Sequence, residues 1–150
     1  MRTWTSIRVK KLFEDAIIPD KGSEWAAGGD LHAYVPGKGA VSIHPHETVM
    51  IGTGIATAIP KMYWGGIFAR SGLASKQGLA PANKVGVVDP DYRGELKVAL
   101  HNHSDEVKTV WHGDRIAQLV IVPLPRTKYT EVKELDETDR GSGGFGHTGS

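Results

Sequence analysis

An arginine, a serine and a glycine stand together at Arg70, Ser71 and Gly72, within the stretch ARSGLASKQGL at 69–79. The residues before them predict a strand, and those after them predict a short helix around 72–78. Backbone N–H groups at a helix start attract anions, and a guanidinium can hold two phosphate oxygens at once. The stretch therefore predicts a phosphate contact, and the alternative is that Ser71 only caps the helix.

A carboxylate, Asp89, lies in the hairpin-like stretch NKVGVVDPDYRGEL at 83–96. At the mouth of a hairpin it could accept a proton from water, and a positioned general base contributes about 10²–10⁴-fold in rate. Tyr92 follows and offers a flat face to a sugar. The alternative is that Asp89 and Asp91 only form the turn, which does not exclude catalysis.

Two polar residues stand in apolar surroundings. Asp30 follows small residues in SEWAAGGDLHA (23–33), and we expect it just before a strand, where it could orient a metal-bound water or hold a loop. Gln118 lies inside the apolar run of HGDRIAQLVIV (112–122), and a buried amide there must be a structural bridge or a ligand contact. Asp114 and Arg115 predict a structural turn and ion pair.

The last eleven residues, RGSGGFGHTGS, include five glycines. Such a segment cannot bury a core, because ordering the backbone costs about 1–2 kcal/mol per residue and glycine loses the most freedom. A plain linker would not need the four residues Arg140, Phe145, His147 and Thr148. The composition predicts a tail that orders over something both anionic and flat.

Histidines form two further candidate pairs, in HPH at 44–46 and HNH at 101–103. Residues two apart in a strand share a face, so either pair could ligate zinc. Pro45 disrupts the first pair, and the sequence offers no obvious third or fourth ligand. A zinc-binding β-domain is therefore an alternative, distinguishable by metal analysis.

The bulk composition excludes several classes of function. The net charge of the 150 residues is +1, which gives no global basic field for nucleic acid or a membrane surface. The absence of cysteine removes disulfides and thiol chemistry. The beginning of the sequence lacks the apolar segment of a signal peptide, and the longest apolar stretch, around 119–122, is too short to span a membrane. We expect a cytoplasmic or nuclear protein.

Short β-rich runs alternate with glycine and proline turn signals, which predicts an all-β sandwich or barrel. A further strand is expected near 128–133. We expect 1–135 to form the folded body and 136–150 a mobile arm. The predicted runs are 6–13, 40–43, 48–52, 54–59, 63–70, 85–88, 95–102, 107–111 and 116–122.

Five stretches together resemble motifs of the trimeric dUTPase family, in the family's order and over nearly the whole chain: AAGGDLHA, ARSGLA, GVVDPDYRGE, GDRIAQL and RGSGGFGHTG. The resemblance implies a jelly-roll-like β-barrel with one short helix, assembled as a homotrimer. It also implies Mg²⁺-dependent hydrolysis of dUTP to dUMP and pyrophosphate, which limits uracil in DNA and supplies dUMP for thymidylate synthesis. One subunit would give each site its phosphate-binding Arg-Ser-Gly, a second its uracil hairpin and a third its arm.

The resemblance assigns a role to each matching residue. Asp89 would be the base that activates water for attack on the α-phosphorus, and Asp30 would contact Mg²⁺ through water while phosphates and waters hold the ion. Uracil and deoxyribose would be bound by Asn83, Gly86, Val87, Val88, Tyr92, Lys97 and Phe145. Phosphates would be bound by Arg70, Ser71, Gly72, Gln118, Arg140, Gly146, His147 and Thr148.

His147 departs from the family pattern, which usually has serine there. Because an imidazole has an unperturbed pKa of about 6.5, we hypothesise that protonated His147 strengthens phosphate binding at mildly acidic pH. The alternative is that its side chain points to solvent.

Two rival functions remain open at this point. A dCTP deaminase shares the fold, although the RSS-type motif of that family differs from Arg70-Ser71-Gly72. A regulatory protein that has lost catalysis is the other, and the joint presence of Asp89, Tyr92, Arg140 and Phe145 argues against it.

Overall fold

The computed structural model describes residues 4–146. In this range the chain forms ten strands, a 3₁₀ turn at Pro36–Lys38 and one α-helix, α1, at Ser71–Gln77. The strands are β1 (Arg8–Lys11), β2 (Gly28–His32), β3 (Ala40–Ile43), β4 (Thr48–Ala58), β5 (Tyr63–Phe68), β6 (Leu79–Pro81), β7 (Gly86–Val88), β8 (Glu95–Asn102), β9 (Lys108–Trp111) and β10 (Arg115–Pro123).

The strands pair antiparallel in two four-stranded sheets, ordered β1-β4-β8-β6 and β2-β10-β5-β7, and in the small β3-β9 pair. In β8 the buried positions alternate with more exposed ones, as a strand with one face on a core requires. The core joins Leu96, Val98 and Leu100 of one sheet to Leu31 and Ile67 of the other. The expected all-β, jelly-roll-like fold with one short helix is confirmed.

Sequence reasoning missed β6, divided β4 in two and expected the strand at β2 to begin only after Asp30. β2 begins with Gly28 and Gly29, which have low strand propensity. A side chain at Gly28 would collide with Gln118, so a close approach between strands requires glycine there. β4 runs through Gly54, whose φ of +69° belongs to a bulge rather than to the end of a strand.

The strand expected at 128–133 was wrong, since the described residues that follow Pro123 form neither strand nor helix. A strand needs a neighbour for its backbone groups, and this segment has no pairing partner in the single chain. Its side chains project outward, with Tyr129 96% and Leu135 84% exposed. The boundary between body and arm at 135/136 stays a prediction.

One buried polar residue, Asn102, holds the end of β8. Its amide donates to the carbonyls of Ile43 and Glu106, at 2.9 and 2.7 Å. Its Oδ1 accepts from the backbone N–H and the hydroxyl of Ser104, at 2.9 and 2.7 Å. Asn102 is completely buried, so water cannot replace any of these partners.

We therefore expect Asn102→Ala to lower the free energy of unfolding by about 3 kcal/mol or more, because it leaves several groups in this region unpaired. Urea denaturation measures the change. The matched control is Asp105→Ala, which removes an exposed side chain from the same loop and should cost under about 0.5 kcal/mol. Equal stability of the two variants would contradict this role for Asn102.

Candidate active site

A cleft of about 300 Å³ opens where β2, β10 and the end of β5 lie side by side. Gln118 of β10 stands opposite Asp30 of β2 and Phe68 of β5, and Arg70 follows β5 two residues later. The antiparallel register therefore brings together residues that are far apart in sequence. The cleft is lined by Gly22, Ala26, Gly28, Asp30, Arg70, Ser71, Gly72, Arg115 and Gln118.

Asp30 is the centre of charge in this cleft. Its Oδ1 accepts a hydrogen bond from Nε of Arg70 at 2.9 Å, and its Oδ2 lies 3.6 Å from Nη1 of Arg115. One partly buried carboxylate thus holds two guanidinium groups, which leaves the trio with a net charge of +1. Charge and geometry both suit an anionic ligand.

This arrangement corrects two expectations. Asp30 lies inside β2, not before it. Arg115 pairs with Asp30, whereas Asp114 closes the turn by accepting from the backbone N–H of Trp111 at 2.8 Å. The sequence predicts only a structural role for Arg115, because it does not reveal that Arg115 lies opposite His32 in the sheet.

Gln118 and the Arg-Ser-Gly stretch shape the floor of the cleft. Nε2 of Gln118 donates to the carbonyl of Ala69 at 2.9 Å, so the amide bridges β10 to the residue before Arg70. Arg70 is the N-cap of α1 and Ser71 is its first residue, so the alternative of Ser71 as the cap was wrong. A side chain at Gly72 would meet nothing within 4 Å, which leaves open space above this backbone.

The hairpin residues form a separate group on β7, β8 and the turn between them. Asp89 directly follows β7 and is exposed. The Tyr92 backbone N–H donates to the Asp89 carbonyl at 3.1 Å, and Nη1 of Arg93 donates to the carbonyls of Pro90 and Tyr92 at 2.6 and 3.0 Å. Arg93, which sequence reasoning missed, therefore stabilises the turn that presents Asp89.

The remaining predicted uracil contacts lie on the same hairpin. Asn83 is exposed before β7, and its Nδ2 lies near the Gly86 Cα. Val87 is exposed and Val88 is buried. Nζ of Lys97 in β8 lies 3.9 Å from Oε2 of Glu95.

The structure does not bring Asp89 to the cleft within one chain. Val88 lies opposite Gly65, near the start of β5, whereas Arg70 follows the other end of that strand. A strand rises about 3.3 Å per residue, so Asp89 and Arg70 are separated by roughly 15–20 Å in the direction of β5. None of the hairpin residues lines the cleft.

The predicted arm residues stand apart from both groups. Nε of Arg140 donates to the carbonyl of Gly143 at 2.8 Å. Phe145 is fully exposed, and its φ of +52° and that of Gly146, +86°, mark a turn. The other two predicted contacts, His147 and Thr148, lie outside the described residues.

The histidine pairs do not form a metal centre in the part of the chain that the structure describes, because no three His, Cys, Asp or Glu side chains gather there around a common point. Nε2 of His46 pairs with Asp105 at 3.0 Å, and Nδ1 of His101 lies 2.8 Å from the Thr48 hydroxyl. The zinc alternative has no support from this arrangement.

Comparison with known proteins decides the family. The sequence model of the dUTPase family matches residues 14–149. The chain belongs to the dUTPase family. This membership places it among enzymes, as a hydrolase of nucleotide metabolism, and favours the hydrolase over the deaminase.

Relatives of similar length support the assignment to the dUTPase family. The deoxyuridine 5'-triphosphate nucleotidohydrolase of Syntrophotalea carbinolica is 50% identical over 149 residues, which are 99% of both chains. That of Nautilia profundicola is 46% identical over 143 residues, covering 95% of this chain and 98% of its own. A solved variant dUTPase of Staphylococcus bacteriophage 80alpha with dUpNHpp has a TM-score of 0.86 at 28% identity, covering 97% of this chain and 99% of that one.

His32 of β2 lies two residues after Asp30, and sequence reasoning did not identify it. Its Nδ1 is buried and has no hydrogen-bond partner among residues 4–146. Burial lowers the pKa of His32 below its ordinary value, and Arg115 and Arg70 lower it further, whereas Asp30 opposes the shift. The folded protein therefore favours the neutral imidazole.

The imidazole of His32 binds a proton more readily in the unfolded chain than in the folded protein. We therefore expect neutral His32 to make its full contribution to stability above the pKa of the unfolded chain. That contribution should be lost as the pH falls through the pKa of the folded protein. Between about pH 7.5 and about pH 5, the native protein should lose unfolding free energy relative to His32→Gln. Urea denaturation across this range measures the difference. His44→Gln, at an exposed histidine, is the control, and parallel curves for the native protein and His32→Gln would contradict the prediction.

Proposed function

We propose that the protein hydrolyses dUTP to dUMP and pyrophosphate, by attack of water on the α-phosphorus. The observation that carries the proposal is the cleft in which Asp30 holds Arg70 and Arg115 beside Ser71, Gly72 and Gln118. Membership of the dUTPase family and the names of the relatives support dUTP as the substrate. Such an activity would keep uracil out of DNA and supply dUMP for thymidylate synthesis.

The triphosphate would lie along the cleft. Nε of Arg70 and Nη1 of Arg115 face Asp30, so other N–H groups of the two guanidiniums could bind phosphate oxygens. The Ser71 hydroxyl and the Gly72 N–H would add donors over the open space beside that glycine. Fixed donors that match the developing negative charge lower the barrier to phosphoryl chemistry.

The uracil would bind along β7. This strand is the edge of its sheet, so the backbone groups on its outer side have no partner in that sheet. Uracil presents two carbonyls and one N–H, which backbone groups at Gly86–Val88 and Lys97 and the Asn83 amide could match. A tight hairpin has no space for the C5 methyl group of thymine.

Asp89 would act as the general base. It is exposed on the turn after β7, and no side chain among the described residues holds its carboxylate. The Tyr92 ring, three residues further on, would pack on the deoxyribose. An exposed carboxylate in this turn could take a proton from the attacking water when substrate binds.

The donor set fits a magnesium ion held mainly by substrate. Both oxygens of Asp30 already face guanidinium groups, and the described residues offer no three-ligand cage. Mg²⁺ keeps several waters and commonly binds through phosphates, where it neutralises their charge. Asp30 would then contact the ion through water.

A homotrimer would bring the two halves of the site together. The roughly 15–20 Å between Asp89 and Arg70 along β5 is too far for one phosphorus atom, so a second subunit must supply one of them. Large apolar side chains that are exposed in the single chain, such as Trp111 and Met50, suit an interface. The arm of another subunit would close over the nucleotide, with Phe145 stacked on uracil and Arg140, Gly146, His147 and Thr148 on phosphate.

The test is pyrophosphate release from dUTP, dTTP, dCTP and UTP with Mg²⁺. We expect turnover of dUTP alone, and a loss of about 10²–10⁴-fold in kcat for Asp89→Asn. Asp91→Asn, in the same turn, is the matched control and should keep most of the activity. Among residues 4–146, no helix is long and apolar enough to cross a membrane.

Each other result has a definite meaning. Ammonia released from dCTP would establish the deaminase instead. A folded oligomer that turns over none of the four nucleotides would favour the hypothesis of a regulatory protein that has lost catalysis. Equal losses in Asp89→Asn and Asp91→Asn would remove Asp89 from the role of base.

A further inference from the structure

Glu95, the first residue of β8, has a partly buried carboxylate that contacts the backbone of β4. Its Oε1 accepts a hydrogen bond from the Gly54 N–H at 2.9 Å. The same oxygen lies over the Cα of Gly52, where any side chain would collide with it. The neighbouring strand therefore leaves a space shaped for this carboxylate.

The space exists because β4 bulges at this point. The pairing of β4 with β8 shifts register between Gly52 and Ala56, and Gly54 takes the left-handed conformation. The buried hydroxyl of Thr53 donates to the carbonyl of Leu96 at 2.6 Å. The bulge thus holds the first two residues of β8. It binds the side-chain carboxylate of Glu95 and the backbone carbonyl of Leu96.

The backbone of Glu95 in turn holds the Tyr92 ring. The Tyr92 hydroxyl donates to the Glu95 carbonyl at 2.9 Å. The ring lies against Gly94, where a Cβ would overlap it. Its outer surface remains open, since 46% of Tyr92 is exposed.

We propose that Glu95 is a positioning residue, which fixes the Tyr92 ring and so sets how strongly the enzyme prefers a deoxyribose over a ribose triphosphate. This inference rests on the proposed function, in which the Tyr92 ring packs on the sugar. Glu95 itself does not touch the substrate. It acts through its carboxylate on the bulge and through its carbonyl on the ring.

The ring must be fixed because dUTP and UTP differ only by the small 2′-hydroxyl group. A ring that can move by about 1 Å makes room for a 2′-oxygen, so exclusion requires a ring whose place is fixed from behind. A loosened ring would admit UTP while dUTP still binds. The expected signature is a change in the preference between two substrates, not a uniform loss of activity.

The experiment compares kcat/KM for dUTP and for UTP in the native enzyme, Glu95→Gln and Glu95→Ala. Glutamine keeps an oxygen that can accept from the Gly54 N–H, so its preference for dUTP should stay within about twofold of native. Alanine removes the acceptor, and we expect the preference to fall roughly five- to tenfold, mainly through better use of UTP. Glu106→Ala, which removes an exposed carboxylate that pairs with Lys108, is the control and should not change the preference.

Tyr92→Phe tests the second link in the chain. It removes only the hydroxyl that donates to the Glu95 carbonyl, and it should lower the preference about as much as Glu95→Ala. Because both changes break one connection, the double variant should be no worse than either single variant. This variant tests the link between the ring and β8 even if Glu95→Ala does not fold.

Two results would overturn the proposal. One is an equal loss for dUTP and UTP in Glu95→Ala, which indicates a purely structural role. The other is an unchanged preference in Tyr92→Phe. Both are distinct from failure of the proposed function, in which the native enzyme itself would not turn over dUTP.

Discussion

The antiparallel pairing of β5 with β10 on one side and β7 on the other is the constraint on which the site depends. It sets Arg70 beside Asp30 and Gln118 at one end of β5, and it sends Asp89 toward the other end. The rise of a strand then keeps the proposed phosphate-binding residues and the proposed base roughly 15–20 Å apart. In the proposed function a single chain therefore holds two separate parts of the site, and the chemistry requires association between subunits.

Each proposed part of the site is held by backbone or carboxylate contacts within the protein. In the cleft, Asp30 orients two guanidinium groups and reduces their mutual repulsion. On the hairpin, Arg93 holds the turn carbonyls and Glu95 links the Tyr92 ring to the bulge of β4. Such preorganisation lowers the cost of reorienting groups when the substrate binds.

The sequence predicted the fold class and part of the cleft because those features follow from local pattern and from motif order. Alternation identified β8, and the clustering of Arg70, Ser71 and Gly72 pointed to phosphate. It began β2 too late, because Gly28 is explained only by the nearby Gln118 side chain, and it placed a strand at 128–133 that has no partner in one chain. It also overlooked Arg115, His32 and Glu95, because their roles depend on cross-strand register, which a linear pattern does not contain.

The most direct test of the divided site is to mix two inactive variants, Arg70→Ala and Asp89→Asn, by unfolding and refolding them together at equal amounts. If Asp89 of one subunit acts on a phosphate held by Arg70 of another, mixed oligomers regain sites with both native residues, and activity should reach about a quarter of the native value. Each variant refolded alone is the control. If the mixture stays as inactive as its components, although mass measurement shows mixed oligomers, then both residues serve the same site from one chain and the divided site is wrong.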